Sequence, residues 1–126
     1  MNEAKHTGDS SRVGKKPWSR GVCTNPDFGN VDIVKDEVIF GRDDACDVVL
    51  HVPEISGIHC RLWRQPQGVY VQVQMRLVDL SRNGTYVNDS LIGNGKSVMI
   101  QSGNEITLLT RDGSRARISY VIYILQ

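Results

Sequence analysis

No apolar run in the sequence approaches the roughly 18 residues needed to cross a bilayer as a helix. The first twenty residues are polar and basic and lack an apolar h-region, so no secretory signal is expected. Cysteine is scarce: Cys23, Cys46 and Cys60 are odd in number and form no C-x-x-C pair. That argues against a disulfide framework and for reduced thiols in an intracellular protein. Neither sign of charge dominates, with 15 Lys+Arg against 14 Asp+Glu and a net charge of +1. Bulk electrostatic attraction to nucleic acid or to a membrane surface is therefore not expected as the main activity. Sustained 3.6-residue periodicity is also missing, which excludes a helical core. Aromatics reach only 6%, yet 40% hydrophobic residues in a chain of 126 suffice for one core.

The composition shifts along the chain. Residues 1–16 are rich in Gly, Ser, Lys and Asn, show no apolar period, and read as a flexible basic leader. A single domain over residues 17–126 is expected to follow, beginning at Pro17-Trp18. From there the pattern is short runs rich in Val, Ile and Tyr, separated by turn residues. Candidate strands are Ser19–Cys23, Val31–Val34, Val38–Phe40, Val48–Leu50, His59–Arg64, Val69–Val73, Leu77–Leu80, Thr85–Val87, Ser97–Ile100, Glu105–Leu109 and Arg117–Leu125. Many short strands at close, regular spacing predict an all-β sandwich.

Several motifs suggest chemistry that their context does not support. Gly93-Asn94-Gly95-Lys96-Ser97 resembles the end of a P-loop, but Ser90 stands where the motif needs glycine. Val98-Met99-Ile100 then favours a strand over the required helix. Asn83-Gly84-Thr85 and Asn88-Asp89-Ser90 fit the glycosylation sequon, which has no use without secretion. Ser56, His59 and Asp79 have the residue types of a hydrolase triad but no G-x-S-x-G elbow. His51, His59, Cys46 and Cys60 match no zinc spacing. No catalytic residue, metal site or cofactor is assigned.

Three pieces, taken together, have a coherent chemistry: Phe40-Gly41-Arg42-Asp43, Ile55-Ser56-Gly57-Ile58-His59, and Asp79-Leu80-Ser81-Arg82-Asn83-Gly84-Thr85. Each falls at a strand end or in an adjoining loop, and loops at one end of a sandwich form a composite site. The guanidinium of Arg42 suits bidentate capture of a phosphate, Ser56 adds a hydroxyl donor, and loop N–H groups complete a cradle. Asn83 offers donor and acceptor together, as the backbone of an extended peptide requires. Gly84 permits the turn that aims it. His59, inside an apolar stretch, reads as a hydrogen-bonding brace.

In order and spacing, Gly41-Arg42, Ser56-x-x-His59 and Asn83-Gly84-Thr85 resemble the signature of the forkhead-associated (FHA) domain family. Gly103-Asn104-Glu105-Ile106 is similar to the family's later turn before a strand, and the resemblance covers roughly Trp18 to Leu125. It implies a sandwich of about eleven strands that binds phosphothreonine proteins or peptides. By that resemblance Arg42 and Ser56 contact the phosphate, Asn83 bonds the peptide backbone, and Gly41, His59 and Gly84 shape the loops. Gly57 stands where members often carry Arg, Lys or Asn, so more of the phosphate falls to Arg42, or to Arg82 in the facing loop. Glu54 and Gly57 are the expected specificity positions.

Pro17-Trp18-x-Arg20, Phe40-Gly41-Arg42-Asp43, Cys46 and Asn83–Asn88 with Leu91-x-Gly93 further resemble the FHA domains of checkpoint-type Ser/Thr kinases. That implies a nuclear regulatory domain in DNA-damage signalling, with no kinase motif inside this chain. Threonine occurs in the leader only at Thr7, and no Ser-Gln or Thr-Gln dipeptide is found there, so self-association through the leader is unsupported. Two alternatives stay open: an FHA domain of a non-kinase nuclear scaffold, and a structural sandwich without phosphate binding.

Overall fold

A computed structural model describes residues 16–65, 73–110 and 116–125. The elements are β1 Ser19–Cys23, β2 Val31–Ile33, β3 Glu37–Gly41, β4 Val48–Val49, β5 Cys60–Gln65, β6 Gln74–Asp79, β7 Tyr86–Val87, β8 Ser90–Leu91, β9 Ser97–Ile100, β10 Glu105–Leu109 and β11 Ile118–Ile124. These eleven strands form two sheets, ordered β2-β1-β11-β10-β7-β8 and β4-β3-β5-β6-β9. All pairings are antiparallel except β3 with β4. No helix long and apolar enough to cross a membrane occurs among the described residues.

Alternation creates the core. Val38 and Phe40 on β3, Cys60 and Leu62 on β5, and Met75 and Leu77 on β6 point inward. Register aligns them, with Val38 opposite Leu62 and Leu62 opposite Leu77. The other sheet contributes Ile118, Tyr120 and Ile122 from β11 and Ile106 from β10. Phe40 and Tyr120 meet across the sandwich edge to face, with ring centroids 5.3 Å apart, a geometry aromatic quadrupoles favour. Burial of that size drives the two sheets together.

Most expected strands form, with ends shifted by one or two residues. The Val69–Val73 candidate differs: residues 69–72 lie outside the described residues, and Val73 is not in a strand. The Leu77–Leu80 candidate lies within the longer β6, which starts at the polar Gln74, and Leu80 falls beyond its end. Strand β8 was not foreseen, because Ser90 and Leu91 are exposed and lack a buried face to pattern the sequence. It exists because Asn88 and Asp89, at φ of 49° and 69°, make a two-residue turn that folds it onto β7. Consecutive positive φ values match the right-handed twist of a hairpin, and Asn and Asp tolerate them better than other side chains do.

Candidate functional site

Strand β3 ends at Gly41, and the chain turns away at Arg42. A Cβ on Gly41 would lie 2.2 Å from the Gly57 carbonyl oxygen and 2.8 Å from Cys46 Sγ. Only glycine lets the β3–β4 loop lie so close to the β4–β5 loop. The two are then laced together: Arg42 N–H donates to the Ser56 carbonyl at 2.9 Å and Asp43 N–H to the Gly57 carbonyl at 3.1 Å. The Cys46 thiol donates to the Gly57 carbonyl at 3.2 Å.

The third loop, between β6 and β7, joins them. Arg82 N–H donates to Ser56 Oγ at 2.9 Å, and Asn83 Nδ2 donates to the Glu54 carbonyl at 3.0 Å. Ser56 Oγ is thereby an acceptor for protein and keeps its own hydrogen to donate. Arg42 Nη1 donates to the carbonyls of Ile55 at 2.6 Å and Pro53 at 3.2 Å. Those bonds hold the guanidinium against the β4–β5 loop. Its Nε and Nη2 hydrogens have no partner among the described residues. Arg42, Ser56, Arg82 and Asn83 thus lie on one rim of joined loops. Arg82 and Asn83 are exposed, whereas Ser56 is at the boundary of burial.

His59 is fully buried. Its Nδ1 accepts from Ser56 N–H at 3.2 Å, so Nε2 carries the hydrogen and donates to the Gly84 carbonyl at 2.9 Å. Burial holds its pKa below the ordinary histidine value, against the raising effects of the Gly84 carbonyl and Asp79. The ring is a neutral strut between two loops. Gly84, at φ +113°, takes a conformation that side chains rarely adopt, and this presents its carbonyl to the ring.

The hydrolase triad is not assembled. Ser56 meets His59 through its backbone, not its hydroxyl, and both ring nitrogens are committed. The Asp79 carboxylate is committed elsewhere. Oδ1 accepts from Ser81 N–H at 2.9 Å, Ser81 Oγ at 2.6 Å and Thr85 Oγ1 at 2.8 Å. Oδ2 accepts from the N–H groups of Thr85 at 3.2 Å and Gly93 at 3.1 Å. Burial pushes this carboxyl up, but the hydrogen bonds of Ser81 and Thr85 outweigh it and leave its pKa below the ordinary range. The P-loop-like segment is a prop for the same knot: Gly95 N–H donates to the Asp79 carbonyl and Asn94 Nδ2 to the Ser81 carbonyl. The buried Asp79, its Ser81 and Thr85 donors and the Arg42 restraints were not recognised from sequence. The Asp-x-Ser-x-x-x-Thr spacing is the signal that marks the knot.

Comparison with known proteins decides the family. The FHA domain profile matches residues 38–109, more than half of the chain. The chain belongs to the FHA domain family. Over 109 residues this FHA domain is 33% identical to the probable serine/threonine-protein kinase fhkC of Dictyostelium discoideum, covering 82% of this chain and 17% of that protein. It is 34% identical over 116 residues to the ovarian-specific serine/threonine-protein kinase Lok of Drosophila melanogaster, covering 82% and 22%. The chain thus spans about a fifth or less of these relatives. Among solved structures it is similar to the N-terminal FHA domain of S. cerevisiae Rad53p in complex with a phosphothreonine peptide. There the TM-score is 0.73 at 26% identity, covering 84% of this chain and 92% of that one. It is also similar to the MEK1 FHA domain in complex with the HOP1 pThr318 peptide, with a TM-score of 0.72 at 26% identity, covering 87% and 99%.

The strut role of His59 has a measurable consequence. The His59→Ala variant is expected to lose stability, because two buried backbone groups lose their partner at about 1–3 kcal/mol each. Weakened binding should follow from loosened loops. A variant as stable as the parent yet unable to bind would instead make His59 a direct contact. The pH dependence follows from the sign of the shift. The folded pKa lies below the unfolded value of about 6.5, so this contribution is complete above that pH and declines as pH falls beneath it. Unfolding free energy, measured by denaturant titration, should hold level from pH 7.5 to about 6.5 and then fall toward pH 5 by up to about 1.4 kcal/mol per pH unit. His59→Gln should flatten that slope.

Proposed function

We propose that this FHA domain recognises phosphothreonine-containing proteins, with Arg42, Ser56 and Arg82 on the phosphate and Asn83 on the peptide backbone. The observation that carries this reading is the Arg82 N–H to Ser56 Oγ bond beside the Arg42 N–H to Ser56 carbonyl bond. It sets a hydroxyl donor and the guanidinium of Arg42 on one braced rim. A phosphothreonine brings about −1.5 to −2 charge and three acceptor oxygens, which such donors match. The peptides in the related Rad53p and MEK1 structures support the same ligand class. The kinase relatives support a regulatory role in a Ser/Thr kinase, and the checkpoint resemblance supports a nuclear, DNA-damage setting. Phosphorylated partners join the protein to other proteins; catalysis would reside outside this domain.

Titration against a degenerate phosphothreonine peptide library, beside unphosphorylated and phosphoserine controls, tests the reading. Binding only when phosphate is present is expected; equal binding of the unphosphorylated library refutes it. Phosphothreonine should exceed matched phosphoserine by about fourfold, since one buried methyl is worth about 0.8 kcal/mol. Equal affinities would remove the methyl pocket from the account.

Selectivity three residues after the phosphothreonine is expected to favour Ile or Leu over Asp. The Glu54 carbonyl is bonded by Asn83, which places residue 54 beside the β6–β7 loop. Its carboxylate should oppose an acidic side chain there by up to about 1 kcal/mol. A library in which Asp wins would overturn this role for Glu54 and leave the phosphate contacts standing.

A further inference from the structure

Besides Glu54, the rim carries a carboxylate that the phosphate chemistry does not use. Asp43 follows Arg42 directly, and its backbone is held on both sides: its N–H donates to the Gly57 carbonyl at 3.1 Å, and its carbonyl accepts from Cys46 N–H at 3.0 Å. Its side chain lies across the face of Gly57. A Cβ built on Gly57 would be 3.1 Å from each of the Asp43 carboxylate oxygens. Any side chain at residue 57 would begin against this carboxylate and force it to give by a few tenths of an ångström, and a long basic one would have its charge within reach of it. With glycine there, Asp43 is exposed and forms no ion pair with any described residue. Its neighbour Asp44, by contrast, shares a 2.7 Å hydrogen bond with His51 Nε2.

This uncompensated charge sits one residue from the guanidinium assigned to a nearly dianionic phosphate. The arriving ligand must either bear the repulsion or supply a cation. We infer that Asp43, lying against Gly57, makes the domain select phosphothreonine peptides that carry Lys or Arg within two residues of the phosphothreonine. The inference rests on the phosphothreonine reading above. An extended peptide advances about 3.3 Å per residue, so a long basic side chain one or two residues away reaches a carboxylate adjacent to the phosphate site. The cation absent at residue 57 is thereby provided by the ligand.

The test uses synthetic heptapeptides with phosphothreonine at the centre, leucine three residues after it and alanine elsewhere. Lysine is placed in turn at each of the two positions on either side. Binding to the parent domain, to Asp43→Asn and to Gly57→Lys is followed by fluorescence anisotropy. In the parent, lysine at one of these positions should tighten binding about two- to fivefold, the range for an exposed ion pair. High salt should shrink that preference. Asp43→Asn should lose the preference while binding the alanine peptide at least as tightly as the parent. Gly57→Lys should lose it as well, because the introduced ammonium pairs with Asp43. An equal lysine effect in parent and Asp43→Asn, or none in the parent, overturns the inference while phosphothreonine binding stands. Failure of every phosphorylated peptide to bind would overturn both readings together.

Discussion

Replacing Arg42 by alanine is expected to reduce affinity for a phosphothreonine peptide by well over tenfold while circular dichroism stays native. The side chain contributes nothing to the apolar core, which is built from both sheets behind the loops. Its Nη1 does restrain the β4–β5 loop through the carbonyls of Pro53 and Ile55, so a stability loss of about 1 kcal/mol is expected as well. Binding suffers far more. Hydrogen bonds to charged groups are worth about 1.5–3 kcal/mol each, and a bidentate guanidinium contributes two of them. Arg42→Lys keeps the charge but loses the planar fork and should fall between parent and alanine. Calorimetric titration of the three proteins decides the matter. An alanine variant that is folded and binds as the parent does would remove Arg42 from the site.

The largest effect on stability is expected at Asp79. Its carboxylate is fully buried and ties together Ser81, Thr85 and Gly93. In Asp79→Ala those donors lose their acceptor in a space that excludes water. A loss of about 3–5 kcal/mol follows, at the high end for a single substitution. For a domain of this size the melting temperature should drop by more than about 10 °C. Asp79→Asn is nearly isosteric but places an amide donor among N–H donors, so it should recover only part of the loss. The sign with pH is opposite in origin to a buried neutral group. The folded carboxyl pKa is depressed, so its contribution is present above the unfolded value of about 3.9 and disappears as pH falls through the folded one. The fall of unfolding free energy below pH 4 should therefore be shallower in Asp79→Ala than in the parent, although the variant is less stable throughout. A variant within about 1 kcal/mol of the parent would show that the knot does not hold the loop.

The fold class was legible because β-strand patterning is local. Val38, Phe40, Leu62 and Leu77 alternate with outward positions, and turn residues mark most ends. That the three loops form one rim was legible for a related reason: Gly41-Arg42, Ser56-x-x-His59 and Asn83-Gly84 are short motifs that fall at strand ends, and loops at one end of a sandwich lie together. Strand β8 was not legible, since neither of its residues is buried and only the paired positive φ values of Asn88 and Asp89 create it.

What tertiary structure alone decided is which polar groups meet. The Asp-x-Ser-x-x-x-Thr spacing permits a knot at the base of a loop but does not by itself rule out a triad acid. The choice is made when Ser81 and Thr85 turn four donors onto the carboxylate and Gly93, fourteen residues later, adds a fifth. Nor does a Gly-Asn-Gly-Lys-Ser string reveal that it props that carboxylate rather than a nucleotide. The hydrogen that Ser56 N–H leaves on His59 Nε2 finds its acceptor in a carbonyl 25 residues away. Asp43 lies over Gly57 only because Gly41 lets two loops touch. Hydrophobic burial depends on pattern and leaves a periodic trace along the chain. Hydrogen bonds depend on distance and angle between groups remote in sequence, and those are set only after the two sheets have closed.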